Sequence, residues 1–479
     1  MTTKVKSYKM LIGGEFREGL RSFEVSNPQN NEVLATVPSA TKEDMIEAIE
    51  TADRTFRMRD PIPTHERIRI LNRVSEFMER DHEAFAATIA REGSKTITEA
   101  RSEVSRAIQT IRISAEEARR LKGETINFDQ NPGSEKRVGY YQRFPVGVVG
   151  AITPFNDPLN LVAHKIGPAI AAGNAIVVKP ASATPLSALK LAESFVEAGL
   201  PEGYLSVVTG SGKEVGDSLV THPVVKMVSF TGGSDAGEAI TRKAGTKKIS
   251  MELGSNSPVI VLNDADLSKA VHACCSGAFS AAGQNCIGVQ RIFVGRELYA
   301  SFLDGLVEAA EALKVGDKMD ESTDIGPMIN VKEAVRVSEW VEEALAKGAQ
   351  LETGGVRDGA YYSPTILSHV PSEAKVMTEE IFGPVVIVNP VADLEEAIDQ
   401  SNAVNYGLHA GIFTNDINQA FKAIRKMDVG GIMINDSSDY RIDEMPFGGT
   451  KGSGIGREGV RFSIESMTEQ KVVCFHLDD

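Results

Sequence analysis

Cysteine is scarce in this chain: there are four in 479 residues, Cys274, Cys275, Cys286 and Cys474. None forms a Cys-x-x-Cys pair and no histidine cluster has metal-ligand spacing, so no metal site is expected. So few cysteines suit a reducing compartment, not a disulfide-stapled secreted fold. No apolar run reaches the ~18 residues needed to span a bilayer. The N-terminus has a short apolar patch, Met10 to Ile12, without the h-region or cleavage site of a signal peptide. A cytoplasmic location away from membranes is therefore expected. Positive charge is also short, with 51 basic against 66 acidic side chains and a net charge of −15. With no local Lys/Arg stripe to offset this, nucleic acid is not an expected partner. Repeats and low-complexity tracts are absent, which leaves a globular chain long enough for roughly three domains of ~150 residues each.

Helical periodicity opens the chain after a short hairpin around Gly13-Gly14. The first helix starts at a Thr41 cap with Asp44 and puts Met45, Ile49, Ala52 and Phe56 on one face. A second is expected over about residues 64–91 and a third over about 97–121. From Val146 the pattern changes to short β-branched runs alternating with helices. The runs are 146–152, 175–178, 205–208, 226–230 and 249–253. This is a βαβ series, implying a parallel sheet with nucleotide-binding crevices at its strand ends. A second such series starts near Pro258 and runs to about Asn435. Two segments stand outside both: an exposed hairpin over 123–144, turning at Asn131-Pro132-Gly133, and a terminal strand over 470–476. Exposed strands of this kind are natural docking edges between subunits.

Cys274 and Cys275 sit in an apolar helical run and read as packing residues. Cys286 is different. It follows Gly283-Gln284-Asn285 at a helix-to-strand junction, where a thiol can point into a cleft. A cysteine thiolate adds readily to a carbonyl carbon, and the resulting thiohemiacetal is a good hydride donor. Further motifs accompany it: Thr153-Pro154-Phe155-Asn156, Lys179-Pro180, Phe230-Thr231-Gly232, Met251-Glu252-Leu253-Gly254, Glu379-Glu380-Ile381-Phe382-Gly383-Pro384 and Pro446-Phe447-Gly448-Gly449.

With these motifs in this order over almost its whole length, the chain resembles the aldehyde dehydrogenase superfamily. The resemblance implies an α/β fold: a Rossmann-type parallel-sheet cofactor domain over 1–122 and 145–251, an α/β catalytic domain over 252–445, and a small β oligomerisation element from 123–144 and 463–479. It implies a homodimer or homotetramer. By position, Cys286 is similar to the family's nucleophile, Asn156 to its oxyanion donor, and Glu252 to the base that activates water against the thioester. Ile152, Thr153, Lys179, Ser182, Phe230, Thr231, Gly232, Gly233, Ser234, Leu253, Glu380 and Phe382 correspond to dinucleotide contacts.

A glutamate at the Ser182 position would bind ribose hydroxyls and repel a 2′-phosphate. Serine can donate to that phosphate, with Lys179 adding charge. NADP is thus expected to be accepted and preferred, with NAD usable. Lys165, beside His164, is open between a proton-relay role and a structural ion pair.

The activity implied is oxidation of a small hydroxylated or anionic aldehyde to its acid. Lactaldehyde, glyceraldehyde, succinate semialdehyde and phosphono- or sulfo-aldehydes belong to that class. Arg106, Asn285 and Arg441 are the substrate-binding candidates, with Asp157 and Arg291 further polar residues for the pocket. A coenzyme A-acylating enzyme, which the presence of Glu252 disfavours, and a non-catalytic protein on the same fold are the alternatives.

Overall fold

The computed structural model describes residues 5–478. Its architecture is α/β, as the alternation of strand and helix patterns implies, with two mainly parallel sheets. Thr41 closes a capping box with Asp44 at the head of the helix Lys42–Met58. The single helix expected over 64–91 is instead two, Thr64–Arg80 and His82–Glu92, broken at Asp81 with φ −103° and ψ 19°. Aspartate favours such breaks because its side chain competes with the helical backbone, and the Arg80 guanidinium donates to its carboxylate at 2.7 Å. The next helix is Ile97–Arg120.

The larger sheet has eight strands. In spatial order they are Gly454–Ile455, Lys248–Glu252, Val225–Thr231, Val148–Ile152, Ala175–Lys179, Leu205–Val207, Met10–Ile12 and Glu15–Arg17. The five from Lys248–Glu252 to Leu205–Val207 are parallel. Their β-branched residues are buried on both faces, which is why they read as near-continuous apolar runs. From Val148–Ile152 the chain moves to one side through Ala175–Lys179 and Leu205–Val207. It then returns to the other side through Val225–Thr231 and Lys248–Glu252. That reversal opens a crevice beyond the carboxyl ends of the strands, where open α/β sheets bind ligands.

The second sheet has seven strands, Gln350–Thr353, Thr365–Ser368, Val385–Val391, Val289–Gly295, Ser257–Val261, His409–Phe413 and Gly431–Ile434 in spatial order. Only Gln350–Thr353 runs antiparallel. The chain leaves this sheet and comes back to the first, where Gly454–Ile455 pairs with Met251 and Glu252. Ser453 fixes the junction: its carbonyl accepts from Leu253 N–H at 3.0 Å, its hydroxyl donates to Gly254 O at 2.7 Å, and the same oxygen accepts from Gly407 N–H at 2.9 Å. The following helix, Val460–Ser466, adds Val460 and Ile464 to the core of the first sheet.

The outlying segments pair with each other. The strand Thr468–His476 runs antiparallel to Arg137–Pro145, which also pairs with Glu124–Ile126. A small sheet of Lys6–Ser7, Val33–Ser39 and Arg21–Ser26 has no counterpart in the sequence reading. Its outer strand is polar and largely exposed, which hides the period-two signal. Among the described residues no helix is long and apolar enough to cross a membrane.

Candidate active site

The helix Leu267–Phe279 ends just before Gly283-Gln284-Asn285-Cys286. The backbone then passes through three successive left-handed residues, Ala281 (φ 53°), Ala282 (φ 53°) and Gly283 (φ 68°). For each alanine this conformation costs ~1–2 kcal/mol, so the turn persists only if its surroundings hold it. Gly283 admits no other residue, since a Cβ there would lie 2.1 Å from the Gly383 carbonyl oxygen. Gln284 clamps the turn: its backbone N–H and its side-chain amide both donate to Ala281 O at 3.1 Å, and its side-chain oxygen accepts from Ile329 N–H at 2.9 Å. Asn285 Oδ1 accepts from Ile287 N–H at 3.2 Å.

The turn delivers Cys286 to the wall of a cavity of about 280 Å³, shared with Asn156, Asn285, Arg106 and Arg441. The thiol packs on Ile287, Leu408 and Phe447. Burial pushes it up to about 12. The Arg441 charge pulls it back, while Glu380 and Glu252 push it further. Asn156 stands on the loop before the helix Asn160–Ala172. Neighbouring Asp157 pairs with Lys95, which also reaches Glu103 at 2.8 Å.

Glu252 ends its strand as a buried carboxylate with neither oxygen partnered. The chain passes it so closely that a Cβ on Gly448 would sit 3.0 Å from Oε1. Burial and the nearby Glu458 charge hold it well above the usual carboxylate range, against the opposing charges of Lys165, Arg441 and Arg457. Glu458 is the group the sequence reading did not single out. It is ion-paired to the fully buried Lys165, whose ammonium also donates to Thr231 Oγ1 at 2.8 Å. Only its place after the Phe447-Gly448-Gly449 motif hinted at it; a two-way backbone bridge to Phe447 (N···O 2.6 and 3.0 Å) brings it back to the site.

The candidate cations divide sharply. Arg106 is answered by Asp443 at 3.0 Å, a buried carboxylate that also accepts from Asn160 Nδ2 at 3.2 Å and meets His164 Nε2 at 2.8 Å. Arg441 is not answered in this way. It stacks 3.7 Å above the Phe447 ring, its Nε and Nη2 are buried with no hydrogen-bond partner, and Glu458 lies 3.8 Å from Nη2. Arg291 lies away from this cavity: fully buried, it donates to the carbonyls of Asn256, Gln400 and Ser401. Its burial reflects a structural role under the second sheet.

The remaining predicted residues gather at the strand ends of the larger sheet. Ile152 ends one strand, and Thr153 follows with its hydroxyl buried and unpartnered. Lys179 ends another and donates to Pro180 O at 2.8 Å; burial lowers its ammonium to about 8. Ser182 is exposed, its hydroxyl donating to Gly210 O at 2.9 Å. Phe230 and Thr231 end a third strand, and Gly232-Gly233 lead into the helix Ser234–Ala244, which has no side-chain cap. The space a Gly233 side chain would occupy is open, and Ser234 Oγ is buried without a partner. Leu253 packs against Gly237 so tightly that a Cβ there would approach to 2.2 Å. Glu380 accepts from Ser255 N–H at 2.8 Å and is pushed up to about 7 by burial. Phe382, held at φ 45°, meets Phe155 edge-on at 5.8 Å. An uncapped helix N-terminus and two orphaned hydroxyls at one crevice fit the pyrophosphate and ribose of a dinucleotide.

Comparison with known proteins agrees with this geometry. The model of the "Aldehyde dehydrogenase family" matches residues 16–473. A 3-sulfolactaldehyde dehydrogenase of Priestia aryabhattai is 47% identical over 475 residues, covering 99% of each chain. Among solved structures, aldehyde dehydrogenase 21 of Physcomitrella patens, in complex with the reaction product succinate, superposes with a TM-score of 0.96 at 40% identity, covering 99% of both chains. The glyceraldehyde-3-phosphate dehydrogenase of Methanocaldococcus jannaschii, complexed with NADP, gives 0.92 at 42% identity, covering 96% of this chain and 100% of that one.

Proposed function

Because the chain belongs to the aldehyde dehydrogenase family and is an NAD(P)-dependent oxidoreductase, we propose that it converts a small aldehyde bearing an acid group to the carboxylic acid at Cys286. The observation that carries the choice of substrate is Arg441. A buried guanidinium whose Nε and Nη2 make no hydrogen bond, with Glu458 no nearer than 3.8 Å, on a residue that lines the cavity shared with Cys286, is suited to a substrate carboxylate, sulfonate or phosphate. Relatives named for sulfolactaldehyde, and one solved with succinate, support the same class.

In this reading the Cys286 thiolate adds to the aldehyde carbon, and the new oxyanion is held by the Asn156 amide and the Cys286 backbone N–H. When bound, NAD(P)+ supplies the acceptor for the hydride that leaves that carbon. The acyl group remains on Cys286 as a thioester. Glu252 takes a proton from water, whose oxygen attacks the thioester, and the acid departs as the thiol is restored. The pair Lys165–Glu458 behind Glu252 sets its charge environment. Ser182 and Lys179 favour the 2′-phosphate of NADP, with NAD also accepted. The free outer edge of Thr468–His476, with Val472 and Phe475 exposed, supports association with a second copy of the chain, as a homodimer or a dimer of such dimers.

The test is reduced-nicotinamide absorbance with acidic and neutral aldehydes of equal length, using both cofactors. A higher kcat/KM for the acidic series, lost on Arg441→Met, is expected. Equal values for charged and neutral substrates would sink the substrate assignment, and no turnover with any aldehyde would sink the chemistry. Added coenzyme A should yield no acyl-CoA.

A further inference from the structure

We infer that Glu99 is a positioning residue for the nucleophile: it holds in place the left-handed turn that presents Cys286. The inference rests on Cys286 being the reacting group. Glu99 lies in the first turn of the helix Ile97–Arg120, far from the cysteine in sequence. One carboxylate oxygen does the ordinary work of a capping box, accepting from Thr96 N–H at 2.9 Å and from Thr96 Oγ1 at 3.2 Å. The other crosses to the second body of the protein and accepts from Ala281 N–H at 2.6 Å. Ala281 is the first of the three left-handed residues, and both of its backbone polar groups are thus engaged, the N–H by Glu99 and the C=O by Gln284.

Without Glu99 the turn keeps only Gln284 and the tight contact at Gly283. Alanine then has reason to relax toward ordinary φ values, carrying the thiol off the cavity wall. Glu99 itself lines that cavity, so the helix that forms one side of the substrate pocket also fixes the sulfur on the other.

The two duties can be separated. At the helix Lys42–Met58 this protein builds a complete capping box with aspartate in the equivalent place. Glu99→Asp should therefore keep the helix cap while withdrawing the carboxylate, one methylene shorter, from Ala281. Glu99→Gln keeps an acceptor oxygen at full length. Three quantities decide the matter: kcat, the second-order rate of Cys286 alkylation by iodoacetamide, and the thermal midpoint.

Glu99→Asp is expected to unfold within a few degrees of the parent. It should lose about tenfold in kcat and in alkylation rate, with the KM for cofactor unchanged. Glu99→Gln should stay within about threefold of the parent. Adding Ala281→Gly to Glu99→Asp should restore most of the alkylation rate, because glycine adopts the left-handed turn unaided. Parental alkylation and turnover in Glu99→Asp would overturn the inference. So would an equal loss in Glu99→Gln, or no recovery with Ala281→Gly. Failure of the premise looks different: alkylation of Cys286 in the parent would then leave turnover intact.

Discussion

Charge at Glu252 and Cys286 decides when the site can act. Both groups are held above their ordinary values by burial, and in the proposed chemistry both must shed a proton, Glu252 as base and Cys286 as nucleophile. The sign follows: protonated at low pH, they are inactive there, and activity is gained as pH rises. The acidic limb of kcat/KM should accordingly lie above the usual carboxylate range. A profile already flat from pH 5 would contradict this. Glu252→Gln should give one stoichiometric burst of reduced cofactor in stopped flow and then little turnover, because only the thioester stage lacks its base. Asn156→Ala should cost ~10²–10³ in kcat. Arg441→Met removes a charge-assisted contact of ~1.5–3 kcal/mol, or about 10- to 100-fold in kcat/KM for acidic aldehydes, and little for neutral ones.

At this scale motifs were legible because they are local: Gly283 to Cys286 and Met251 to Gly254 are each contiguous in sequence. The environment of those residues was not. Lys165 and Glu458 meet across 293 positions, and no spacing rule announces such a pair. The same holds for Arg106, whose partner Asp443 lies 337 positions away and is itself bonded to Asn160 and His164.

Elements carry the cofactor argument. Strand ends and the glycine-led helix Ser234–Ala244 make the crevice, and the β-branched runs that form those strands were plain in the sequence to within one or two residues. What local pattern misjudged were breaks. Asp81 splits one amphipathic stretch whose apolar face continues on either side, since periodicity sees the face and not the cap. The left-handed alanines were likewise invisible, because nothing in an Ala-Ala pair signals positive φ.

Three outcomes test this level. Gly283→Ala should give protein that fails to fold or is inactive, as its Cβ has no room beside Gly383. For the cofactor, Lys179 is charged below about 8 and neutral above it. A bound 2′-phosphate favours the charged form, so NADP affinity should fall as pH rises through about 8 while NAD affinity holds. Parallel titrations of KM for the two cofactors check this. Ser182→Glu should shift preference toward NAD.

For the whole molecule, the two sheets were foreseeable from alternation alone, and so were the outlying strands that pair in the third sheet. Less foreseeable was how much apolar surface stays uncovered. The helix Ile417–Lys426 exposes Ile417, Phe421 and Ile424 along one side, near the edge strand Gly431–Ile434. Val472 and Phe475 on Thr468–His476 are exposed as well, and apolar stretches of this kind mark association surfaces. Sedimentation velocity should find a dimer or tetramer, and Phe421→Glu with Val472→Glu should drive it to monomer. A monomeric parent would refute the association.

The Ser453 junction has a bearing on turnover. Gly454–Ile455 is laced to the strand that ends in Glu252, and one hydroxyl is shared between Gly254 and Gly407, so the two bodies are riveted beside the reacting atoms. A clam-shell swing would have to tear that seam. The expected route for spent dinucleotide is therefore sliding or folding within a standing cleft, with the lining loops setting the pace of its exit.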